Sequence, residues 1–208
     1  EATGKYFKVV DGDDWLNTEN LEHFIALLKE HEEDVIASNY RCIRDESYDI
    51  IAEKRVTSDA ALYGTVCDMN KGEVKEVIKM HGLTIRTSIL KENNITIDEK
   101  CFYVDAEYIA YPMPFVSSVY YDDAFIYMYR LGRNGQSMDI RSMQRNREMH
   151  RKVLNSMLAF YDKLPEVTDE KKSYIEKVIG QMVENQFQIY ISMGTDKEIQ
   201  KETAAWDK

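Results

Sequence analysis

The stretch KYFKVVDGDDWL, residues 5–16, runs from apolar, β-prone residues straight into Asp11, Gly12, Asp13 and Asp14. An unpaired carboxylate in a core costs several kcal/mol, so acids at the end of such a strand must meet water, a cation or hydrogen-bond donors. In extended backbone, residues two apart project to the same side. Asp11 and Asp13 therefore point together, and Gly12 lets a ligand approach the main chain closely. Two oxygen ligands on one face suit Mg²⁺ or Mn²⁺, which fills its remaining positions with water and phosphate oxygens. An EF-hand calcium loop does not fit, because its fifth position would be Trp15 and no glycine falls at the sixth.

Working outward, Asn17 or Thr18 can cap a helix whose apolar face is Leu21, Phe24, Ile25, Leu27 and Leu28. DVIASNYRCIRD (34–45) and YDIIAEKRV (48–56) read as two strands of a hairpin. Residues 59–79 have no clear period. GLTIRTSIL (82–90) follows, then Asp105 begins a stretch that can be helical up to Pro112, and SVYYDDAFIYMYRLG (118–132) reads as a hairpin or a paired strand. From Asp139 the pattern becomes helical. Ile140, Met143, Val153, Leu154, Met157, Leu158 and Tyr161 predict one long helix ending before Pro165. Tyr174, Ile175, Val178, Ile179, Met182, Val183, Ile189 and Met193 predict a second after Thr168, packed antiparallel on the first.

The chain of 208 residues is 44% hydrophobic, enough for a sizeable core. It has 27 Lys and Arg against 37 Asp and Glu, a formal charge of −10, which opposes a nucleic-acid partner. No apolar run approaches the roughly 20 residues of a membrane span. Cys42, Cys67 and Cys101 are odd in number and widely spaced, without zinc-ligand intervals, which fits reduced core cysteines in a cytoplasmic protein.

EATGKYFKVVDGDDWL (1–16) resembles the segment around the D-x-D motif of family 2 glycosyltransferases. KCFYVDAEYIAYPMPFVSSVYYDDAFIYMYRLGRNGQSM (100–138) resembles the later part of the same catalytic domain, with its acid-then-helix element, aromatic strand and Arg-containing loop. The resemblance covers residues 1 to about 138. It implies an α/β chain with a partial GT-A (nucleotide-diphospho-sugar transferase) fold, lacking the N-terminal nucleotide-binding half and followed by a C-terminal α-helical hairpin. The division is 1–138 for the catalytic part and 139–208 for the helical tail. It also implies inverting sugar transfer from a nucleotide-diphosphate sugar, using Mn²⁺ or Mg²⁺, to a carbohydrate or lipid-linked acceptor in polysaccharide or glycoconjugate synthesis. Asp13 would bind the metal. Asp11 would face the cation, the ribose or the donor sugar, and Asp14 would shape the turn. Asp105 would be the catalytic base, while Arg130 and Arg133 could neutralise diphosphate. The chain departs from the family in having Val104 where many members have Glu, with Glu107 as the substitute candidate.

Blander readings stand beside these. Asp11 and Asp13 could cap the following helix, Asp105 could cap its own, Arg133 could be a solvated charge, and Trp15 could be a core anchor rather than a sugar platform. His81 in KMHGLT could be a structural histidine or an acceptor ligand. The alternative functions are a metal-dependent nucleotidyl- or phosphotransferase and a non-catalytic interaction module. The family's early P-x-Y-N and D-D-G-S elements do not occur in the sequence. The chain is therefore expected to be the metal and acceptor half of an enzyme, inactive by itself. YFKVV would lie at a sheet edge and favour self-association. Localisation is expected to be cytoplasmic, with peripheral association at the inner membrane face open.

Overall fold

A computed structural model of the chain describes residues 2–132, 139–194 and 197–206. The opening apolar run pairs over only two residues, Tyr6–Phe7 (β1), and Trp15–Leu16 (β2) follows the acidic turn. Asn17 caps Thr18–Glu30 (α1), its side chain accepting from the Glu19 amide. The hairpin forms as expected from Val35–Arg44 (β3) and Ile50–Lys54 (β4), antiparallel. The region without a clear period resolves into single 3₁₀ turns around Val66–Asp68 (β5), each tight turn using a local cap rather than a ladder. Then come Leu83–Arg86 (β6), Thr87–Glu92 (α2), Asp105–Ala110 (α3) and the 14-residue Ser118–Leu131 (β7).

The sheet runs β1-β6-β3-β7-β2, with β4 also on β3 and β5 also on β7. Its centre is the parallel pair β3 and β7, paired from Val35↔Val119 to Arg44↔Leu131 with register shifts on either side of Asn39; all other named pairs are antiparallel. As expected from the sequence, YFKVV lies at a sheet edge, but only Tyr6–Phe7 pairs, antiparallel to β6, and the strand stops at Phe7. The next residue explains the stop. The Lys8 ammonium donates to the carbonyls of His81 and Leu83 at 2.7 and 3.3 Å, so a side chain takes carbonyls beside β6 where a longer ladder would have run.

After Asp139 the single long helix of the sequence reading is two, Ile140–Arg145 (α4) and Arg147–Tyr161 (α5). Asn146, at φ −101° and ψ 15°, ends one and begins the other. Thr168 caps Asp169–Ser192 (α6), and Lys197–Trp206 (α7) closes the described chain. None of the described helices is long and apolar enough to cross a membrane.

Side-chain alternation on β3 divides the interior. Ile36 packs with Phe24 and Leu27 of α1 and with Ile126, whereas Val35 and Ala37 face the larger core. That larger core continues without a break into Leu154 and Met157 of α5 and Tyr174, Ile175 and Val178 of α6. Residues on both sides of position 138 therefore share one hydrophobic interior.

Gly82 closes the turn that carries His81. A Cβ there would lie 2.5 Å from Val56 Cγ1 and 2.7 Å from the Ser38 carbonyl oxygen. Gly82→Ala should lower stability by about 1–3 kcal/mol through overpacking. Gly12→Ala, whose Cβ meets nothing within 4 Å, should be close to neutral. Denaturant midpoints for the two variants check this, and equal midpoints would count against the tight fit.

Candidate active site

The acidic turn is held against β7 by Asp14. Its two carboxylate oxygens accept the Arg130 amide at 2.8 Å and the Tyr127 hydroxyl at 2.6 Å. The same Tyr127 oxygen accepts the Asp11 amide at 3.1 Å, and the Asp14 amide closes the turn on the Asp11 carbonyl at 3.0 Å. The Trp15↔Met128 pairing extends this attachment into β2. Asp14 is thus structural, as the sequence reading had it, and Asp11 and Asp13 remain as the acids of the turn with a ligand role to argue. Burial, then the charge of Asp13, pushes the Asp11 carboxyl above its usual range. A cation placed between the two would relieve that repulsion.

A cavity of about 470 Å³ opens beside the turn, and Asp11, Asp105, Lys79, His81, Tyr40 and Tyr129 are among its lining residues. Asp105 is the first residue of α3, following Val104 at the cap position, where valine supplies no side-chain cap. Its carboxylate receives the amides of Asp105 and Ala106, the local role that a helix-start acid plays. It lines the cavity while open to solvent. Desolvation by the cavity wall raises its pKa and the Asp11 charge adds to the rise, against the two amides and the Lys79 ammonium, which oppose it. The result is a carboxylate more basic than usual, able to accept a proton inside a cleft.

His81 forms the aromatic part of the floor. Its ring lies 4.9 Å from Tyr40, 5.0 Å from Tyr127 and 4.1 Å from Tyr129, centroid to centroid. Burial, helped by the Lys8 and Lys79 charges, holds its pKa down at about 4, so the imidazole is neutral at physiological pH. Its Nδ1 is buried without a hydrogen-bond partner among the described residues. Beneath it the Lys8 ammonium sits 5.5 Å over the Tyr127 ring, with a pKa lowered by burial to about 7.

The remaining sequence candidates are placed elsewhere. Glu107 is 1% exposed and both of its oxygens are committed, to the Asp98 amide at 2.7 Å and the Tyr111 hydroxyl at 2.9 Å, so it shapes the loop before α3. Arg130 pairs with Asp45 at 3.5 Å and does not line the cavity, nor does Asp13. Arg133 lies outside the described residues. Trp15 is half-buried and meets Tyr48 at 6.0 Å. Cys42 and Cys67 are buried, Cys101 partly so, and burial raises all three thiols, which leaves them unreactive. No cluster of three or more His, Cys, Asp and Glu side chains suited to a metal occurs among the described residues. Sequence reasoning missed Tyr127, Lys8 and Lys79. The signal for Tyr127 was present: Tyr127 and Tyr129 are two apart on one strand and must share a face.

Residues 1–94 match the family model described as glycosyl transferase family 2. The comparison with curated proteins found no match. Among solved structures, S. aureus TarS 1–349 in complex with UDP-GlcNAc is similar with a TM-score of 0.52 at 16% identity, over 96% of this chain and 54% of that one. The complex of TarS 1–349 with UDP gives 0.51 at 16%, over 97% and 54%, and a crystal structure of S. aureus TarS gives 0.52 at 16%, over 95% and 32%. The chain spans about half the length of TarS 1–349. The likeness establishes the architecture expected from the sequence, a mixed α/β partial GT-A fold.

The raised pKa of Asp105 has a thermodynamic sign. Between the ordinary carboxylate pKa and the raised one, the native state keeps a proton that the unfolded chain has released, so stability falls as pH climbs through that window. Asp105→Asn removes the penalty. It should raise the melting temperature at pH 7, and the gain should vanish near about pH 3, where the acid is neutral in both states. A lower melting temperature at pH 7 would mean that the carboxylate makes net favourable contacts.

Proposed function

With a match to the glycosyl transferase family 2 model at residues 1–94 and a GT-A type fold as premise, we propose that the whole protein transfers a sugar from a nucleotide-diphosphate sugar to an acceptor hydroxyl. The observation that carries the reading is that Asp11, at the acidic turn, and Asp105, at the start of α3, line one cavity, and the Asp11 charge acts on the Asp105 carboxyl. One end of that cavity is suited to a diphosphate with its cation and the other to an acceptor.

The residues fit a divalent cation. Asp11 and Asp13 are adjacent acids whose mutual repulsion a cation lowers, and Mg²⁺ or Mn²⁺ needs only one or two carboxylates when phosphate and water complete its shell. When bound, such an ion neutralises charge developing on the leaving diphosphate, which is worth several kcal/mol. Asp14 holds the turn through Tyr127 and the Arg130 amide, so that Asp11 and Asp13 are presented without reorganisation. Asp105 takes the acceptor hydroxyl proton while the acceptor oxygen bonds to the anomeric carbon and that carbon's bond to the diphosphate oxygen breaks. Attack from the face opposite the leaving group inverts the configuration. The neutral imidazole of His81, on its tyrosine floor, offers a hydrogen bond to a sugar hydroxyl.

A panel of nucleotide sugars with Mn²⁺, assayed on the whole protein and on its variants, tests the reading, starting from UDP-GlcNAc because TarS was crystallised with it. Asp13→Asn should abolish metal-dependent turnover with little change in melting temperature. Asp105→Asn should lower kcat by at least about 10²-fold with donor affinity within a few-fold. Collapse of the Asp13→Asn fold with unchanged activity per folded molecule would make that acid structural. Equal loss of donor binding in Asp105→Asn would place Asp105 in the nucleotide site instead.

A further inference from the structure

α6 presents Val178, Gln181, Met182 and Asn185 to the cavity. Their spacing of i, i+3, i+4 and i+7 is one helical face, on which two apolar side chains alternate with two amides. A helix that served only the core would carry apolar residues at all four. The Gln181 amide oxygen accepts the Lys79 ammonium, which connects this wall to the charge beside Asp105. At the rim Phe102 is 51% exposed.

Deeper in the same wall the polar chemistry is incomplete. His150 and Gln186 are both 0% exposed and bond to each other, Nδ1 to Oε1, at 2.8 Å. That leaves the His150 Nε2 buried without a partner among the described residues, while the Gln186 side chain also meets the Tyr190 hydroxyl. Buried polar atoms without partners are costly and call for a group that completes them. His150 itself lines the cavity.

The chemistry of this wall selects a ligand class. Away from Asp11 and Asp105 the polar groups of the lining are amides, imidazoles and tyrosines, set among aromatic rings and aliphatic and methionine side chains, with Lys79 as its one lysine or arginine side chain. Amides donate and accept at once, as sugar hydroxyls do, and ring faces cover the apolar C–H faces of a pyranose. A second phosphate group would call for more cations than this wall has.

We infer that the α6 wall is the acceptor subsite and that it holds a neutral carbohydrate, with Gln181 and Asn185 hydrogen-bonding its hydroxyls and Phe102 covering a ring face. The inference rests on the sugar-transfer reading above. It makes Gln181 and Asn185 specificity-determining residues, and the helical tail part of the active site.

The test uses the whole chain and two independent probes. Saturation-transfer NMR with a panel of methyl glycosides reads the α6 wall, and calorimetric titration with UDP and Mn²⁺ reads the donor end. The wild-type chain should bind at least one methyl glycoside. The Gln181→Ala, Asn185→Ala double variant should weaken that binding at least about tenfold while UDP affinity changes by less than about twofold. Both replacements favour helix, so the melting temperature should hold; if the double variant does not fold, Asn185→Ala alone carries the same comparison. Absence of glycoside binding, or binding unchanged in the variant, overturns the inference. Equal weakening of UDP also overturns it, by assigning the wall to the nucleotide. Glycoside binding that depends on α6 in a wild-type chain that ignores UDP would sink the donor reading and leave the α6 site standing.

Discussion

The parallel pairing of β3 with β7 is the constraint from which the site follows. Its register sets Tyr40 opposite Tyr127 and Cys42 opposite Tyr129, so three tyrosines gather on one face of the sheet and receive the His81 ring. The same strand, one residue beyond Tyr127, pairs Met128 with Trp15 and thereby brings the acidic turn to that level. Parallel strands need a long crossover, and this one carries the His81 turn and α3 between them. A one-residue slip would turn Tyr127 away from Asp14 and send the tyrosine floor to the opposite face.

The three acids of the turn show how environment divides identical side chains. Asp14 is saturated by two donors and serves geometry. Asp11 gives its main-chain amide to the same tyrosine while its carboxylate remains at the cavity wall. Both are raised by burial, but only in Asp14 do the Tyr127 and Arg130 hydrogen bonds pull the other way. Asp105 is raised by the same physics inside its cleft. Carboxylates held near one another resist ionising together, and a bound cation or a proton relieves that strain.

Local patterns were legible and tertiary ones were not. The Asn17 cap, the β3 and β4 hairpin, the α3 start at Asp105 and the Thr168 cap of α6 all rest on neighbouring residues, and the sequence contains those neighbours. β1 ends early because Lys8 finds carbonyls more than seventy residues away, which no window along the chain contains. The break at Asn146 was hidden because α4 and α5 bury Met143, Val153 and Leu154 in the same core, so the apolar rhythm passes over it. Two acids read from a four-residue turn are a chemical hint. The tyrosine that sorts them lies 113 residues away from Asp14.

The continuous core has a consequence for how the molecule folds and how it can change. Because α6 fills the interior with Tyr174, Ile175 and Val178 while turning Gln181 and Asn185 to the cavity, core packing and the cavity wall share one helix. Elements that share a core unfold as a cooperative unit, so the sheet and the helical hairpin should melt in one transition instead of two. Drift in that helix is then never purely a matter of selectivity. A substitution that rotates or shifts α6 to suit a different ligand also repacks the sheet, and the range of ligands open to this scaffold is bounded by what its interior tolerates.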